Sequence, residues 1–407
     1  MIHHITAICS SAQESARFYT RVLDLRLVKL TVNQDDLGTY HIYFGDRTGS
    51  PGTVLTFFQW SDLPKGELGI GMVSKVAFKI PLGSMKFWEK HLITNGIRIS
   101  KNVKFGRKVI AFADPDGLSL ELVEEGDGGD WAKNLEEQYA INGFYGATLL
   151  VADYEDTAKL LTKHLGYVHI KSEDNIHRYF SSETIIDIEE GSKIENGNYG
   201  LGSVHHIAFR TENLETQMAL RERLKKEGFS LTPSIDRFYF RSVYFREPGG
   251  ILFELATDGP GFTADEDVEE LGSKLVLPPK FEEQREKIEK LLPKFDFSIS
   301  SPPYMRYFAK QSPFSNYSKK GNYQEYLRDI KKIYSQLKEI MKKDSTTVVE
   351  ISNTFGKNHP MTPLAWDVAR ELSKIFYLER EIIYCFKEDK IEQNLPNHSY
   401  CLIFKNK

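Results

Sequence analysis

Four stretches of this chain share one grammar, which constrains the fold more than any other feature. The first runs HHITAICSSAQESARFYTRVLDLRLVKLTVN and continues to GTYHIYFGD and GTVLTFFQW. The second is SKVAFKIPLGSMKFWEKHLITNGIRIS, followed by KVIAFADPDGLSLELVE. The third is YGATLLVADYEDTAKLLTKHLGYVHIKS, followed by HRYFSS and TIIDIEEG. The fourth is VHHIAFRTENLETQMALRERLKKEGFSLT, followed by RSVYFREPGGILFELAT. Each opens with a short apolar strand. A helix follows, because Phe18, Tyr19, Val22 and Leu23 fall at helical spacing, as do Leu160, Leu161 and Leu165. Short β-rich segments close each unit, with turn signals at Asp116-Gly117 and Gly249-Gly250. A βαβββ module repeated four times is the economical reading, an α+β architecture.

The repeats carry chemistry at matched points. His3-His4 opens the first and His205-His206 the fourth. Alignment sets His4 beside Lys75, Gly146 and His206. A hairpin carboxylate recurs as Glu121 and Glu254, each four residues after its turn glycine. One complete metal site is therefore expected from His4, His206 and Glu254. The second and third modules would retain a vestigial one, with Glu121 and no imidazole. A lone strand histidine is usually a core or surface residue, but recurrence in two repeats beside a repeated carboxylate favours a ligand. Two neutral imidazoles and one carboxylate leave several coordination positions open, as in non-haem Fe(II) oxygenases. Mn(II) fits the same donors.

Bulk properties exclude little. The composition is 41% hydrophobic and 27% charged, as expected of a globular protein with sizeable cores. A net charge of −4 gives no global argument for nucleic acid or membrane. The cysteines Cys9, Cys385 and Cys401 form no CxxC pair, which suits a reducing cytoplasm. No signal peptide and no membrane-spanning run is visible, so a cytoplasmic location is expected. The module boundaries suggest two successive domains, 1–130 from modules one and two and 141–258 from modules three and four. Residues 259–295 read as a tail and linker, and 296–407 as a separate segment. That segment has 18 lysines and arginines against 13 acidic residues, a weak pointer to an anionic partner.

The segments HHITAI, FYTRVLDLRLVKLTVNQDD, GTYHIYFGD, GSPGTVLTFFQW, HHIAFRTEN and DRFYFRSVYFREPGGILFELATDGPGF resemble the vicinal oxygen chelate superfamily. That superfamily includes extradiol dioxygenases and glyoxalase I, and the match is closer to its ring-cleaving hydroquinone dioxygenases. The resemblance covers about residues 1–293. It implies His4, His206 and Glu254 as iron ligands, and His3 and His205 as their neighbours in the site. It implies Thr6, Arg237 and Tyr244 as further pocket residues. The implied reaction opens a hydroquinone-type ring with O2, and a homo-oligomer is possible. Read without the resemblance, Arg237 is equally a surface ion pair with Asp236 or Glu247, and Tyr244 a core residue. A glyoxalase-like isomerase or lyase is the alternative, although it usually needs four protein donors.

A second motif stands in FDFSISSPPYMRYF. Ser301-Pro302-Pro303-Tyr304 resembles the catalytic loop of amino-group DNA methyltransferases, which hold a flipped base. TTVVEISNTFG, TPLAWDVARELSKIF and NHSYCLIFKNK resemble the strands and helices downstream of that loop in those enzymes. No glycine loop for S-adenosylmethionine accompanies it. The resemblance implies a partial methyltransferase-like α/β fold over 296–407, inert or completed by another polypeptide, and a possible nucleic-acid contact.

Overall fold

Each repeat folds as one strand, one helix and three further strands, as the sequence predicts. The computed structural model describes residues 1–191, 193–305, 313–314, 322–356, 359–385 and 398–407. Module one contains β1 (Ile2–Cys9), α1 (Ala12–Arg21), β2 (Arg26–Asn33), β3 (Asp36–Gly45) and β4 (Val54–Gln59). Module two contains β5 (Met72–Ile80), α2 (Met85–Thr94), β6 (Ser100–Lys104), β7 (Arg107–Ala113) and β8 (Ser119–Glu124). Module three contains β9 (Phe144–Val151), α3 (Glu155–His164), β10 (Val168–Glu173), β11 (Ile176–Ser181) and β12 (Thr184–Glu190). Module four contains β13 (Val204–Thr211), α4 (Leu214–Lys226), β14 (Ile235–Asp236), β15 (Arg241–Arg246) and β16 (Leu252–Thr257).

Local chemistry explains these elements. The Ser11 hydroxyl caps α1 by accepting from the Glu14 N–H at 3.3 Å. Phe18 and Tyr19 turn to the buried face of α1, each contributing roughly 2 kcal/mol of apolar burial. The Tyr19 hydroxyl then donates to Asp114 at 3.0 Å, tying module one to the β7–β8 turn. The turn glycines Gly117 and Gly250 both sit at φ 96°, a left-handed conformation open to glycine. The repeated hairpin thus repeats its backbone as well as its carboxylate.

Two eight-stranded sheets result. One has the order β14-β15-β16-β13-β1-β4-β3-β2, the other β10-β11-β12-β9-β5-β8-β7-β6. Module one therefore pairs with module four, and module two with module three. Sheet membership thus runs across the expected boundaries at 1–130 and 141–258. The reason lies in the opening strands: β1 and β9 are buried along their whole length and need a partner on both edges. Antiparallel β5–β9 pairing joins neighbouring modules, and the outer β1 and β13 then join each other. The segments that pass between the sheets run side by side, with bridges Glu67–Asn198 and Ile70–Asn196. Gly69 permits that approach; a Cβ there would meet the Glu195 carbonyl oxygen at 2.4 Å.

All four modules belong to one compact unit, Met1–Leu292. Its tail packs back on the first module. The Val276 N–H donates to the Leu30 carbonyl at 3.0 Å, and the buried Lys29 ammonium pairs with Asp265 and Glu266. Phe262 sits against Tyr43 with ring centroids 5.0 Å apart.

Pro293–Lys407 forms the second unit. Its strands run in the order Phe295–Ser300, Met341–Ile351, His398–Lys405, Tyr377–Cys385. The first pair is parallel and the other two are antiparallel. Helices Tyr323–Ile340 and Leu364–Leu372 supply Tyr326, Ile330, Leu364 and Val368 to its core. Among the described residues no helix is long and apolar enough to cross a membrane.

Candidate metal centre

His4 on β1, His206 on β13 and Glu254 on β16 come together in the first sheet. Register explains this: β1 runs beside β13 and β13 beside β16, with His4 opposite Ala208 and Ala208 opposite Glu254. One ligand atom from each lies within 4.8 Å of the others, and all three residues are buried. The two imidazole Nε2 atoms stand 3.4 Å apart. Glu254 Oε2 lies 3.0 Å from His206 Nε2 and 3.3 Å from His4 Nε2. Neither Glu254 oxygen has a hydrogen-bond partner, although the residue is fully buried. A buried carboxylate without donors costs on the order of several kcal/mol. Two imidazole nitrogens and an orphaned oxygen converging on one point fit a divalent cation, which would satisfy all three.

The paired histidines have a common device. His3 Nδ1 faces His4 Nδ1 at 2.9 Å, and His205 Nδ1 faces His206 Nδ1 at 2.8 Å. Each contact needs one proton. If Nε2 of His4 and His206 offers a lone pair to a metal, their Nδ1–H groups donate to His3 and His205. The neighbours then carry their own protons on Nε2. Burial supports the neutral form, pushing His3 and His205 each down to about 3. His205 lines a cavity beside the three donors, whereas His3 is buried behind His4 against Phe240.

That cavity has a volume of about 410 Å³. Phe58, Trp60, Phe240 and Leu252 form its apolar walls, and Tyr244 and Arg237 also line it. Arg237 does not pair with Asp236 or Glu247. Its guanidinium donates to both oxygens of Asp35 at 2.9 and 2.7 Å. Asp236 instead pairs with Arg241 at 3.3 Å, and Glu247 accepts from Thr157 at 2.6 Å. Arg237 also lies beside Tyr244, 5.6 Å from its ring centre. Burial and the nearby Glu254 carboxylate push the Tyr244 hydroxyl well up, so it stays protonated. Thr6 is fully buried one layer back from the cavity, where it accepts from the Thr56 hydroxyl at 2.9 Å.

Among the lining residues that sequence reasoning missed are Asp35, His41 and Tyr43. His41 and Tyr43 alternate on β3 inside GTYHIYFGD, so a period of two marks them as sharing one face. Nothing in the local pattern says that this face meets His206. Asp35 sits at a hairpin tip, where an acidic residue reads as solvated.

The second sheet carries the equivalent positions. Ala77 opposes Glu121 there, as Ala208 opposes Glu254 in the first. Lys75 then occupies the place of His206, and Gly146 that of His4. The Glu121 carboxylate is buried but accepts from Lys104 Nζ at 2.5 Å. Arg178 forks onto Asp187 at 2.7 and 2.7 Å. The remaining cavity is about 10 Å³. The chain's own ammonium group stands where the other sheet leaves room for a cation.

In the second unit, Ser301–Tyr304 follows the strand end without regular secondary structure, and Ser301 and Tyr304 are exposed. The Pro303 carbonyl accepts from the Tyr326 hydroxyl at 2.8 Å, so it is already engaged. The motif continues from Arg306 outside the described residues.

Comparison with known proteins follows the same division. The family model described as the Glyoxalase/Bleomycin resistance protein/Dioxygenase superfamily matches residues 1–122 and 144–255. A Bacillus subtilis protein named "Putative ring-cleaving dioxygenase MhqO" is 45% identical over 299 residues, covering 72% of this chain and 96% of that protein. The "Chlorohydroquinone/hydroquinone 1,2-dioxygenase" of Sphingobium indicum is 33% identical over 298 residues, covering 69% and 92%. The crystal structure of a "putative dioxygenase" from Bacillus subtilis is 44% identical with a TM-score of 0.69, covering 72% of this chain and 96% of that one. This chain belongs to the Glyoxalase/Bleomycin resistance protein/Dioxygenase superfamily and is an enzyme of its ring-cleaving dioxygenase group.

Proposed function

We propose that His4, His206 and Glu254 hold a ferrous ion and that the enzyme opens hydroquinone-type rings with dioxygen. The observation that carries this is the orphaned Glu254 carboxylate, fully buried between two imidazole nitrogens at the edge of an aromatic-lined cavity. The name of the Sphingobium indicum relative supports the substrate class. When bound, the metal supplies open positions for a phenol oxygen and for dioxygen and relays electrons between them.

The chain's own groups do the rest. Phe58, Trp60 and Phe240 line a space that suits a flat ring and exclude water from it. Arg237 is a permanent cation, locked by Asp35, and stabilises negative charge developing on oxygen. The Tyr244 O–H stays protonated and donates to the same developing charge. His205 carries its N–H on Nε2 and donates a hydrogen bond to a substrate oxygen in the cavity.

Oxygen-electrode assays on anaerobically iron-loaded protein test the reading. One dioxygen should disappear per hydroquinone opened. Manganese fits the donors as well, so iron-loaded and manganese-loaded protein should be compared. Turnover of a substrate by zinc-loaded protein without oxygen would instead identify an isomerase.

A further inference from the structure

A hydroquinone can place only one of its two oxygens on a metal. The other keeps a hydroxyl hydrogen that needs an acceptor. Arg237, Tyr244 and His205 present N–H and O–H donors to the cavity, while the unpartnered Gln34 Oε1 is an acceptor at the hairpin tip.

A directed chain of hydrogen bonds runs away from the cavity through β3, β4 and β1. The Thr56 hydroxyl donates to Thr6 Oγ1 at 2.9 Å, so its hydrogen is committed. His41 Nε2 lies 2.8 Å from the Thr56 oxygen and must therefore be the donor there. The neutral imidazole then has a lone pair on Nδ1. The Tyr43 hydroxyl lies 2.8 Å from that nitrogen and donates to it. Burial holds His41 well below its usual value, which keeps one proton on the ring and fixes this tautomer.

The consequence falls on Tyr43. Its hydrogen is committed to His41, so only lone pairs of its oxygen remain for a ligand in the cavity that both residues line. The ring is fixed by burial and by Phe262, so the hydroxyl oxygen keeps its place and the contact with His41 sets where its hydrogen points.

We propose that Tyr43 Oη, polarised by the His41–Thr56–Thr6 chain, accepts the hydroxyl hydrogen of the substrate oxygen that is not on the metal, and so selects free hydroquinones over their O-methyl ethers. This rests on the phenol-binding reading and adds a specificity-determining residue to it. A site built to accept a hydroxyl hydrogen rejects an analogue that lacks one, because its buried acceptor is then left unpaired.

The experiment is anaerobic quenching of tryptophan fluorescence in the full-length, metal-loaded protein, since Trp60 lines the same cavity. Hydroquinone and 4-methoxyphenol are the probes. The native protein should prefer hydroquinone by about tenfold. Tyr43→Phe should keep its metal content and bind both probes alike. His41→Leu removes the acceptor for the Tyr43 hydrogen, which then turns into the cavity as a donor. Preference should shift towards the ether in that variant, an outcome that a packing role for His41 does not produce. Retained preference in Tyr43→Phe, with hydroquinone still binding, overturns the Tyr43 assignment and leaves the proposed reaction standing. Failure of hydroquinone to bind the native protein overturns both.

Discussion

Asp35 and Arg237 are 202 residues apart in the chain and meet as a two-pronged ion pair at 2.9 and 2.7 Å. The β2–β3 hairpin tip of the first module thereby clamps the loop of the fourth. Gln34 strengthens the clamp by donating to the Arg237 carbonyl at 2.7 Å. The cation over the cavity is held by a residue whose outer side faces solvent.

Asp35→Asn should therefore leave metal content unchanged and reduce turnover by about tenfold, since a loosened guanidinium loses its orientation. Metal analysis and steady-state kinetics on the same preparation check this. Normal turnover would show that Arg237 keeps its place without Asp35.

Glu254→Gln should remove the anionic donor and leave the paired imidazoles in place. The purified variant is expected to lose its metal while keeping the fold, with circular dichroism unchanged. His206→Ala should behave likewise. Metal content equal to that of the native protein in either variant would exclude these residues as ligands.

Lys104→Met addresses the relic site. It leaves Glu121 buried without a cationic partner, which costs about 3–5 kcal/mol by the usual behaviour of broken buried pairs. Denaturant melts should show that loss, with metal content unaltered. Replacing Glu121 with Gln in the same protein should recover much of it, because the uncompensated charge then disappears.

Asp114 gives a pH signature. Burial raises its carboxyl to about 6, although Leu118 and Tyr19 donate to it. An unfolded aspartate titrates near about 3.9. Between these values the folded protein holds a proton that the unfolded chain has released. Its contribution to stability is therefore greatest at low pH and falls as pH rises through about 6. Asp114→Asn should flatten the fall in melting temperature between these pH values. An identical slope in the variant would remove Asp114 as its source.

Much of the fold is legible in the linear chain. The opening strands, the helices and the turn glycines all follow from periodicity and residue type. The helices end slightly early: Val22 and Leu165 close α1 and α3 as caps instead of continuing them. The relic is legible too, from Glu121 without imidazoles. Its filling by Lys104 is not, because that lysine comes from β6, a strand that the repeats do not align. Arg237 is legible as a pocket residue, but its partner lies across the sheet and not among its neighbours in sequence.

The sequence alone determined the four βαβββ modules and nominated His4, His206 and Glu254, because local periodicity and recurrence are properties of the linear chain. Tertiary structure alone decided that module one joins module four, that Asp35 grips Arg237, and that His41 and Tyr43 face the cavity. Those outcomes depend on which strand edges find each other. Edges with equally apolar strands look alike along the chain, and only the register of the finished sheet tells them apart.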